Sequence, residues 1–526
     1  LDRTATIWRS TSPGRAGGHV NLAHIINDHP AESVALVHRN RVTTYGELRD
    51  QVAAFRGALS GHGVGVGDRV ALIVGNSPTF VVAYLAVIGL GAVVVPLNPA
   101  SPGPELQSEL AVVEARLVVV DQLGGANWSR VDRAAVRSIE VVVMPEAATD
   151  GRVGEVAIDD MLTAAPVAVV EVDAAHVAAL MFTSGTAGAP RAAMLSHGNL
   201  QANLDQSLSA EGHIGADDVI YGVLPLFHIF GLNVVLGVGL AVGATVVLVQ
   251  RFDPATAVQS IRDRGVTVIP GAPAMWAAFA HFDELAADAF VGVRLALSGA
   301  SRLPIGAARA MQERFGVEIY EGYGLTEASP IVTTSTGTVP RLGSVGRALA
   351  GVEIRLVNVD GDALVGDVVE VLVRGDNVFL GYYGDPEATA LVLDDEGWLH
   401  TGDMATVDDD GYLYLVDRSK DLIIVSGFNV YPAEVEEVLA AHPDVVETAV
   451  VGVAHPHTGE AVKAYVVTAP GVDVDEETLI EYTLDHLARY KCPTKIIFVD
   501  TLPRNASGKL VRRNLDDALR VGALPA

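Results

Sequence analysis

Residues 181 to 200 read MFTSGTAGAPRAAMLSHGNL. An apolar run, VAALMF, ends at Thr183, Ser184, Gly185, Thr186, Ala187 and Gly188, and the cation Arg191 follows. Glycines leave backbone N–H groups open and hydroxyls add donors, so a tract of this composition suits a concave phosphate site. It is not a Walker A loop, because no Gly-Lys-Ser/Thr follows at the required spacing. A plain Ser/Gly turn is the alternative. A second segment, YEGYGLTEASP at 320 to 330, sets Tyr323 between Gly322 and Gly324, with Thr326 and Glu327 just after. Tyr323 suits stacking on a flat base and Glu327 suits Mg²⁺, or the two are a core ring and a helix-start charge. In a third, GWLHTGDMA at 397 to 405, Asp403 suits ribose hydroxyls or an ordinary turn. The fourth is DRSKDLIIVSGFNVYP at 417 to 432. The fifth, PRNASGKLVRR at 503 to 513, carries Lys509 after a glycine. Around it lie Arg489, Lys491, Lys495, Arg504, Arg512 and Arg513 against the single acid Asp500, which reads as a polyphosphate surface or as a solvated charge run.

The elements that must position these residues follow from periodicity. From about residue 30 to 300, helical segments alternate with apolar strands, as in TYGELRDQVAAFRGAL then DRVALIV, which predicts parallel sheets covered by helices in an α/β fold. Two stretches, Phe80 to Leu97 and Gly231 to Val249, approach a bilayer span. Both break at glycine, and so read as a buried helix, a turn and a β-branched strand. After about residue 340 the texture becomes short alternating strands with Gly and Asp turns, an antiparallel or barrel-like part. Beyond the charged stretch Asp417 to Asp421 comes a compact α+β unit. In it YPAEVEEVLAAH is a helix with Val435, Val438 and Leu439 on one face.

The 526 residues suffice for more than one folded unit. Lys and Arg number 36 against 64 Asp and Glu, a net charge of −28. That field repels phosphate backbones and anionic lipid, so nucleic acid is not the expected partner, and an anionic ligand needs local positive charge. The single cysteine, Cys492, excludes internal disulfides and Cys-built metal sites and fits a reducing compartment. The first twenty residues lack a signal-peptide apolar region. A cytoplasmic location is expected, without a transmembrane segment and with loose membrane association left open. Oligomeric state is not legible.

The five segments in this order resemble the adenylate-forming superfamily of acyl-CoA synthetases, nonribosomal peptide adenylation domains and luciferases, most like a bacterial fatty acyl-CoA ligase. The likeness runs from TYGEL at Thr44 through GAVVVPLNP and LPLFHIFGL to SGKL at Ser507. It implies a large N-terminal AMP-binding domain over 1–417, with two packed α/β sheets and a β-barrel-like part at about 335–417. A hinge at 418–420 centred on Lys420 and a mobile C-terminal lid over 421–526 would complete it. By resemblance, Thr183 to Arg191 grip the ATP β- and γ-phosphates; Ser298, Gly299, Ala300 and Ser301 with Gly322, Tyr323 and Gly324 frame adenine. Thr326 and Glu327 approach the α-phosphate and Mg²⁺, and Asp403 and Arg418 hold the ribose. His228 and Phe230 are gate and wall of the acyl pocket, Gly427 meets pantetheine, and Lys509 bridges carboxylate and α-phosphate. The implied reaction activates a medium- or long-chain fatty acid with ATP and passes it to CoA. The alternatives are a fatty acyl-AMP ligase serving a carrier protein, whose usual insertion is missing here, and a non-catalytic descendant. One departure is visible: Pro190-Arg191-Ala192 stands where the family carries Pro-Lys-Gly.

Overall fold

The computed structural model describes residues 21–149, 154–183, 190–357, 368–418, 423–425, 428–455, 458–469, 471–472, 474–504, 510 and 515. Short valine-rich runs form the first sheet. Its seven strands lie in the order Glu155–Ala157, Val141–Met144, Leu117–Val120, Arg69–Ile73, Val93–Pro96, Val177–Thr183 and Arg191–Ser196. All pairs are parallel except the last, and the central strands are buried throughout, as expected for a sheet covered on both faces.

A second sheet of nine strands runs Arg347–Ala348, Ile331–Thr334, Ile319–Gly324, Leu295–Ser298, Val268–Gly271, Val219–Gly222, Thr245–Leu248, Val34–His38 and Arg41–Thr44. From Ile319–Gly324 to Val34–His38 the strands are parallel, so their carboxyl ends share one edge. Helices pack between and around the sheets. Tyr45–Gly61 starts with a capping box, in which Thr44 Oγ accepts from the Glu47 amide while Glu47 Oε2 accepts from the Thr44 amide at 2.9 Å.

The two long apolar stretches fold as helix, glycine turn and strand. Pro78–Gly89 is an almost wholly buried helix, Gly91 takes φ 69°, and Val93–Pro96 follows. In the second stretch the helix begins as a π-helical segment, Phe230–Gly237, before a short α-helix Val238–Val242, Gly243 at φ 83° and strand Thr245–Leu248. The wider turn has a local cause. A Cβ on Gly231 would lie 2.1 Å from the Pro225 carbonyl oxygen, so the backbone passes there only as glycine. Among the described residues no helix is long and apolar enough to cross a membrane.

Strands Glu353–Val357, Val369–Arg374, Leu399–Val407 and Leu413–Arg418 form an antiparallel sheet. Arg355 and Arg374 lie 4.2 and 4.4 Å from the ring centre of fully buried Trp398, fixing the hairpin that leads to Asp403. The remaining sheet joins Ile423–Val425, Phe428–Val430, Val445–His455, Gly459–Thr468 and Lys495–Phe498. It has its own core, in which Val435 and Leu439 of helix Pro432–Ala440 meet Val450, Val462 and Leu479, while Val438 is only half-buried.

Three of the seven C-terminal cations are engaged in ion pairs. Lys491 binds Glu434 at 2.6 Å, Lys495 binds Glu476 at 2.8 Å and Arg504 binds Glu447. Acids distant in the chain fold back onto these three cations, while Lys509, Arg512 and Arg513 lie outside the described residues.

Candidate active site

Four parallel strands of the nine-stranded sheet, ending at Gly222, Gly271, Ser298 and Gly324, deliver their following loops to one edge, where open α/β sheets bind ligands. A cavity of about 550 Å³ opens there. Thr183, Arg191, His228, Phe230, Ser298, Gly299, Ala300, Gly322, Tyr323, Gly324, Thr326 and Glu327 all line it. Thus residues predicted from four separate segments meet in one space. Ser301 does not line it. Ser184, Gly185, Thr186, Gly188, Lys420, Gly427 and Lys509 lie outside the described residues, and of Arg418 only the backbone is described.

Strand Val219–Gly222 runs into the segment bearing His228, and buried Asn76 holds that segment. Its amide donates to the carbonyls of Gly222 at 3.1 Å, Leu224 at 2.9 Å and Val249 at 3.1 Å, and its oxygen accepts from the Leu226 amide at 3.0 Å. His228 Nδ1 accepts from the Phe230 amide at 3.2 Å, which puts the proton of the neutral ring on Nε2. The Phe230 ring lies close enough to Gly299 that a Cβ there would come within 3.1 Å of it. Ser298 Oγ is buried, without a partner among the described residues, at the wall of this cavity. A buried orphan hydroxyl beside a glycine cradle is what a bound polar heterocycle satisfies. Ala300 holds φ 70°, a left-handed conformation that costs a non-glycine residue about 1 kcal/mol or more.

Tyr323 donates its hydroxyl to Asp403 Oδ2 at 2.7 Å. The two readings of Tyr323 merge, since the ring is 7% exposed yet reaches the cavity wall. Asp403 sits inside strand Leu399–Val407, opposite Arg418 in the register, and not in a turn. Glu327 lies in the one-turn segment Thr326–Ala328, and its Oε1 accepts from the Tyr382 hydroxyl at 2.7 Å. Burial, followed by the Glu327 charge, pushes the Tyr382 hydroxyl far above its ordinary pKa, so it stays a donor. The guanidinium of Arg191 lies 5.8 Å from the Tyr382 ring centre and its Nε 3.3 Å from Asp385. Arg191, Tyr382 and Glu327 form one connected group.

Sequence reading did not single out Tyr382, His400 or Glu370, all at the cavity. His400 Nδ1 stands 3.8 Å from Glu370. The only local signal for Tyr382 was an aromatic pair between glycines, GYYGD. Ser207, His213, Tyr320 and Thr336 add polar groups to the cavity beside the apolar Val234, Val238, Leu295 and Leu297.

Residues 22–383 match the AMP-binding enzyme family, and residues 434–509 match the AMP-binding enzyme C-terminal domain. The chain belongs to the AMP-binding enzyme family. It is 37% identical over 496 residues to a 3-[(3aS,4S,7aS)-7a-methyl-1,5-dioxo-octahydro-1H-inden-4-yl]propanoyl:CoA ligase of Mycobacterium tuberculosis (strain ATCC 25618 / H37Rv), covering 92% of this chain and 95% of that one. A feruloyl-CoA synthase of Amycolatopsis sp is 36% identical over 483 residues, covering 91% and 94%. The crystal structure of ATP-bound MatB from Rhodopseudomonas palustris superposes with a TM-score of 0.87 at 32% identity, over 96% of this chain and 99% of that one. Within the AMP-binding family this likeness supports acid–thiol ligation of the AMP-forming kind, with ATP and CoA as cosubstrates and Mg²⁺ as the metal. Mg²⁺ demands few protein ligands when phosphate oxygens are present, and Glu327, oriented by Tyr382, fits that requirement.

Proposed function

We propose that this AMP-binding enzyme activates a carboxylic acid with an apolar ring body and transfers it to CoA. A carboxylate has no useful leaving group at its acyl carbon. Attack of its oxygen on the ATP α-phosphorus breaks the bond to pyrophosphate and makes that oxygen part of AMP; the CoA sulfur then replaces AMP at the acyl carbon. Tyr323 and Gly299 to Ala300 hold the adenine, Asp403 with Arg418 the ribose, and Thr326 the α-phosphate. Arg191 with the Thr183 to Gly188 tract holds the outer phosphates. Glu327 would carry Mg²⁺, which neutralises charge on the departing pyrophosphate. Lys509 bridges carboxylate and α-phosphate in the first step. Rotation of residues 421–526 about Lys420 then exchanges Lys509 for the pantetheine path at Gly427.

The ring reading departs from the medium- or long-chain acid expected from sequence. One observation carries it: the cavity sets apolar Phe230, Val234, Val238, Leu295 and Leu297 together with hydroxyls of Ser207, Tyr320 and Thr336. Each of those hydroxyls has one partner in the protein, Ser207 donating to the Asn203 carbonyl at 2.7 Å, Tyr320 to Glu318 at 3.4 Å and Thr336 accepting from Thr334 at 3.1 Å. Each keeps hydrogen-bonding capacity that a ring bearing oxygen can use and a straight chain cannot. The acids named for the two relatives, an indenyl propanoate with two oxo groups and ferulate, are of that kind.

The test is pyrophosphate release, with and without CoA, over ferulate, an oxo-substituted bicyclic propanoate, octanoate and palmitate. The ring acids are expected to exceed the straight chains in kcat/KM by about tenfold, the discrimination that one added hydrogen bond of about 1.4 kcal/mol provides. Preference for palmitate returns the reading to a fatty acid. Adenylate accumulation without CoA consumption makes the enzyme an acyl-AMP ligase.

A further inference from the structure

The main chain just after Glu327 passes from the one-turn segment Thr326–Ala328 into strand Ile331–Thr334, so regular structure offers its carbonyls few partners. Side-chain amides take that place. The Ala328 carbonyl accepts from Asn377 Nδ2 at 2.8 Å, the Ser329 carbonyl from Asn233 Nδ2 at 2.7 Å, and the Ile331 carbonyl from Asn203 Nδ2 at 2.8 Å. Asn203 Oδ1 also accepts from the Ile331 amide at 3.1 Å, and the Glu327 carbonyl accepts from the Phe379 amide at 2.8 Å. All three asparagines are fully buried.

These amides come from three elements, each tied to another part of the active site. Asn203 lies on helix His197–Leu208, which follows directly from strand Arg191–Ser196 and hence from Arg191. Asn233 lies in the π-helical segment Phe230–Gly237, whose Phe230 and Val234 line the cavity. Asn377 is five residues before Tyr382, whose hydroxyl binds the Glu327 carboxylate. Gln206 joins two of them: its Oε1 accepts from Asn203 at 3.2 Å and its Nε2 donates to Asn377 Oδ1 at 3.3 Å. At the centre Ser329 holds φ 68°, a left-handed conformation that costs about 1 kcal/mol or more and persists where surrounding contacts over-determine the backbone. A buried amide that loses its partner is costly, so a connected set of this kind has few alternative arrangements.

We infer that Asn203, Asn233 and Asn377 are positioning residues for the Glu327 carboxylate, fixing the main chain that carries it relative to Arg191 and to the cavity wall. The inference rests on the reading of Glu327 as the Mg²⁺ ligand. Mg²⁺ demands near-ideal geometry from its oxygens, so a carboxylate on a loop free to shift holds it poorly. Tyr382 orients Glu327 from the carboxylate end, and the asparagines hold it from the backbone end. Their spread over three elements keeps the carboxylate and the Arg191 cation at a set separation, as two groups that face one polyphosphate require.

Equilibrium dialysis of ATP with the acid omitted, once in Mg²⁺ and once in EDTA, gives the factor by which the metal tightens ATP binding without turnover. In Asn377→Ala and Asn203→Ala that factor should fall about tenfold, the loss usual for a partner of a metal ligand, while ATP affinity in EDTA stays parental. Gln206→Met removes only the link between the two and should act in the same direction by a smaller amount, which keeps the test open if an alanine variant fails to fold. Tyr45→Phe is the control for lost stability: it removes a buried hydrogen bond to the Ala244 carbonyl, 2.8 Å long, at a residue that does not line the cavity. It should lower the melting temperature and leave the factor unchanged. If the asparagine and glutamine variants melt lower yet keep the parental factor, the amides are structural and the inference is overturned. Glu327→Gln should abolish the effect of the metal. If it does not, Glu327 is not the metal ligand, and the inference falls together with that reading.

Discussion

With Glu327 as the proposed Mg²⁺ ligand, Tyr382 would act on the metal without touching it. Its hydroxyl donates to Glu327 at 2.7 Å while its ring packs on Phe379 at 5.0 Å and under Arg191. Tyr382→Phe keeps the packing and removes one hydrogen bond to a charged group, a contact worth about 1.5 to 3 kcal/mol. The Mg²⁺ concentration for half-maximal adenylation should therefore rise about tenfold, with little change in the requirement for the acid. An unaltered Mg²⁺ dependence would leave Tyr382 a packing residue. Asp403 makes a different prediction, since Tyr323 already occupies Oδ2. Asp403→Ala should raise the apparent KM for ATP at least tenfold more than that for the acid, because ribose hydroxyls lose a charged acceptor. Equal sensitivity of the two substrates makes the carboxylate a tether for Tyr323. Glu327 and Asp403 stand out in the sequence because each sits in a short motif; Tyr382 does not. It reaches the cavity because residues 380–383 pair with 192–194, as in Leu380 N–H to Met194 O at 3.0 Å, and such distant pairing leaves no local period.

Elements defined by local rules were legible for the same reason. The helix Pro78–Gly89 with its glycine turn follows from period and composition, whereas the π-helical start at Phe230 depends on contact with the Pro225 carbonyl and has no one-dimensional signal. Helix Gly103–Val113 carries a polar exception on its buried face. Glu109 is 8% exposed, and its Oε2 has no partner among the described residues. Burial, helped by the nearby charge of Glu105, pushes the Glu109 carboxyl up to about 8. A folded-state pKa above the unfolded value means that the folded state holds the extra proton. Stability is full below about pH 4.5, declines as pH rises, and levels off above about pH 8. Glu109→Met, beside Leu106, Leu110 and Val113, removes this term. At pH 8 it should gain on the order of 2 to 4 kcal/mol, a difference that vanishes near pH 4. Thermal melting across that range reads it directly, and a pH-independent difference would point to packing alone.

At the scale of the whole molecule the question is what holds residues 421–526 against the rest. Arg302, one residue past the predicted adenine frame, donates to Glu437 of helix Pro432–Ala440 at 2.8 Å. Both side chains are substantially exposed, 39% and 50%. An exposed pair of this kind contributes about 0 to 1 kcal/mol, less in salt, so it would bias the position of the proposed lid and would not lock it. That is the balance an enzyme with two half-reactions needs, because a strong tether would favour one step at the expense of the other. Glu437→Gln keeps the helix face and removes the charge. The half-reaction served by the arrangement described here should slow by up to about fivefold, and the other should quicken by a similar factor. Adenylation is measured with acid and ATP, and thioester formation with preformed acyl-AMP and CoA. Raising the salt concentration should bring the parent enzyme toward the variant in both assays. If the two half-reactions fall together, Arg302 and Glu437 support folding of the interface and do not set the position of the lid.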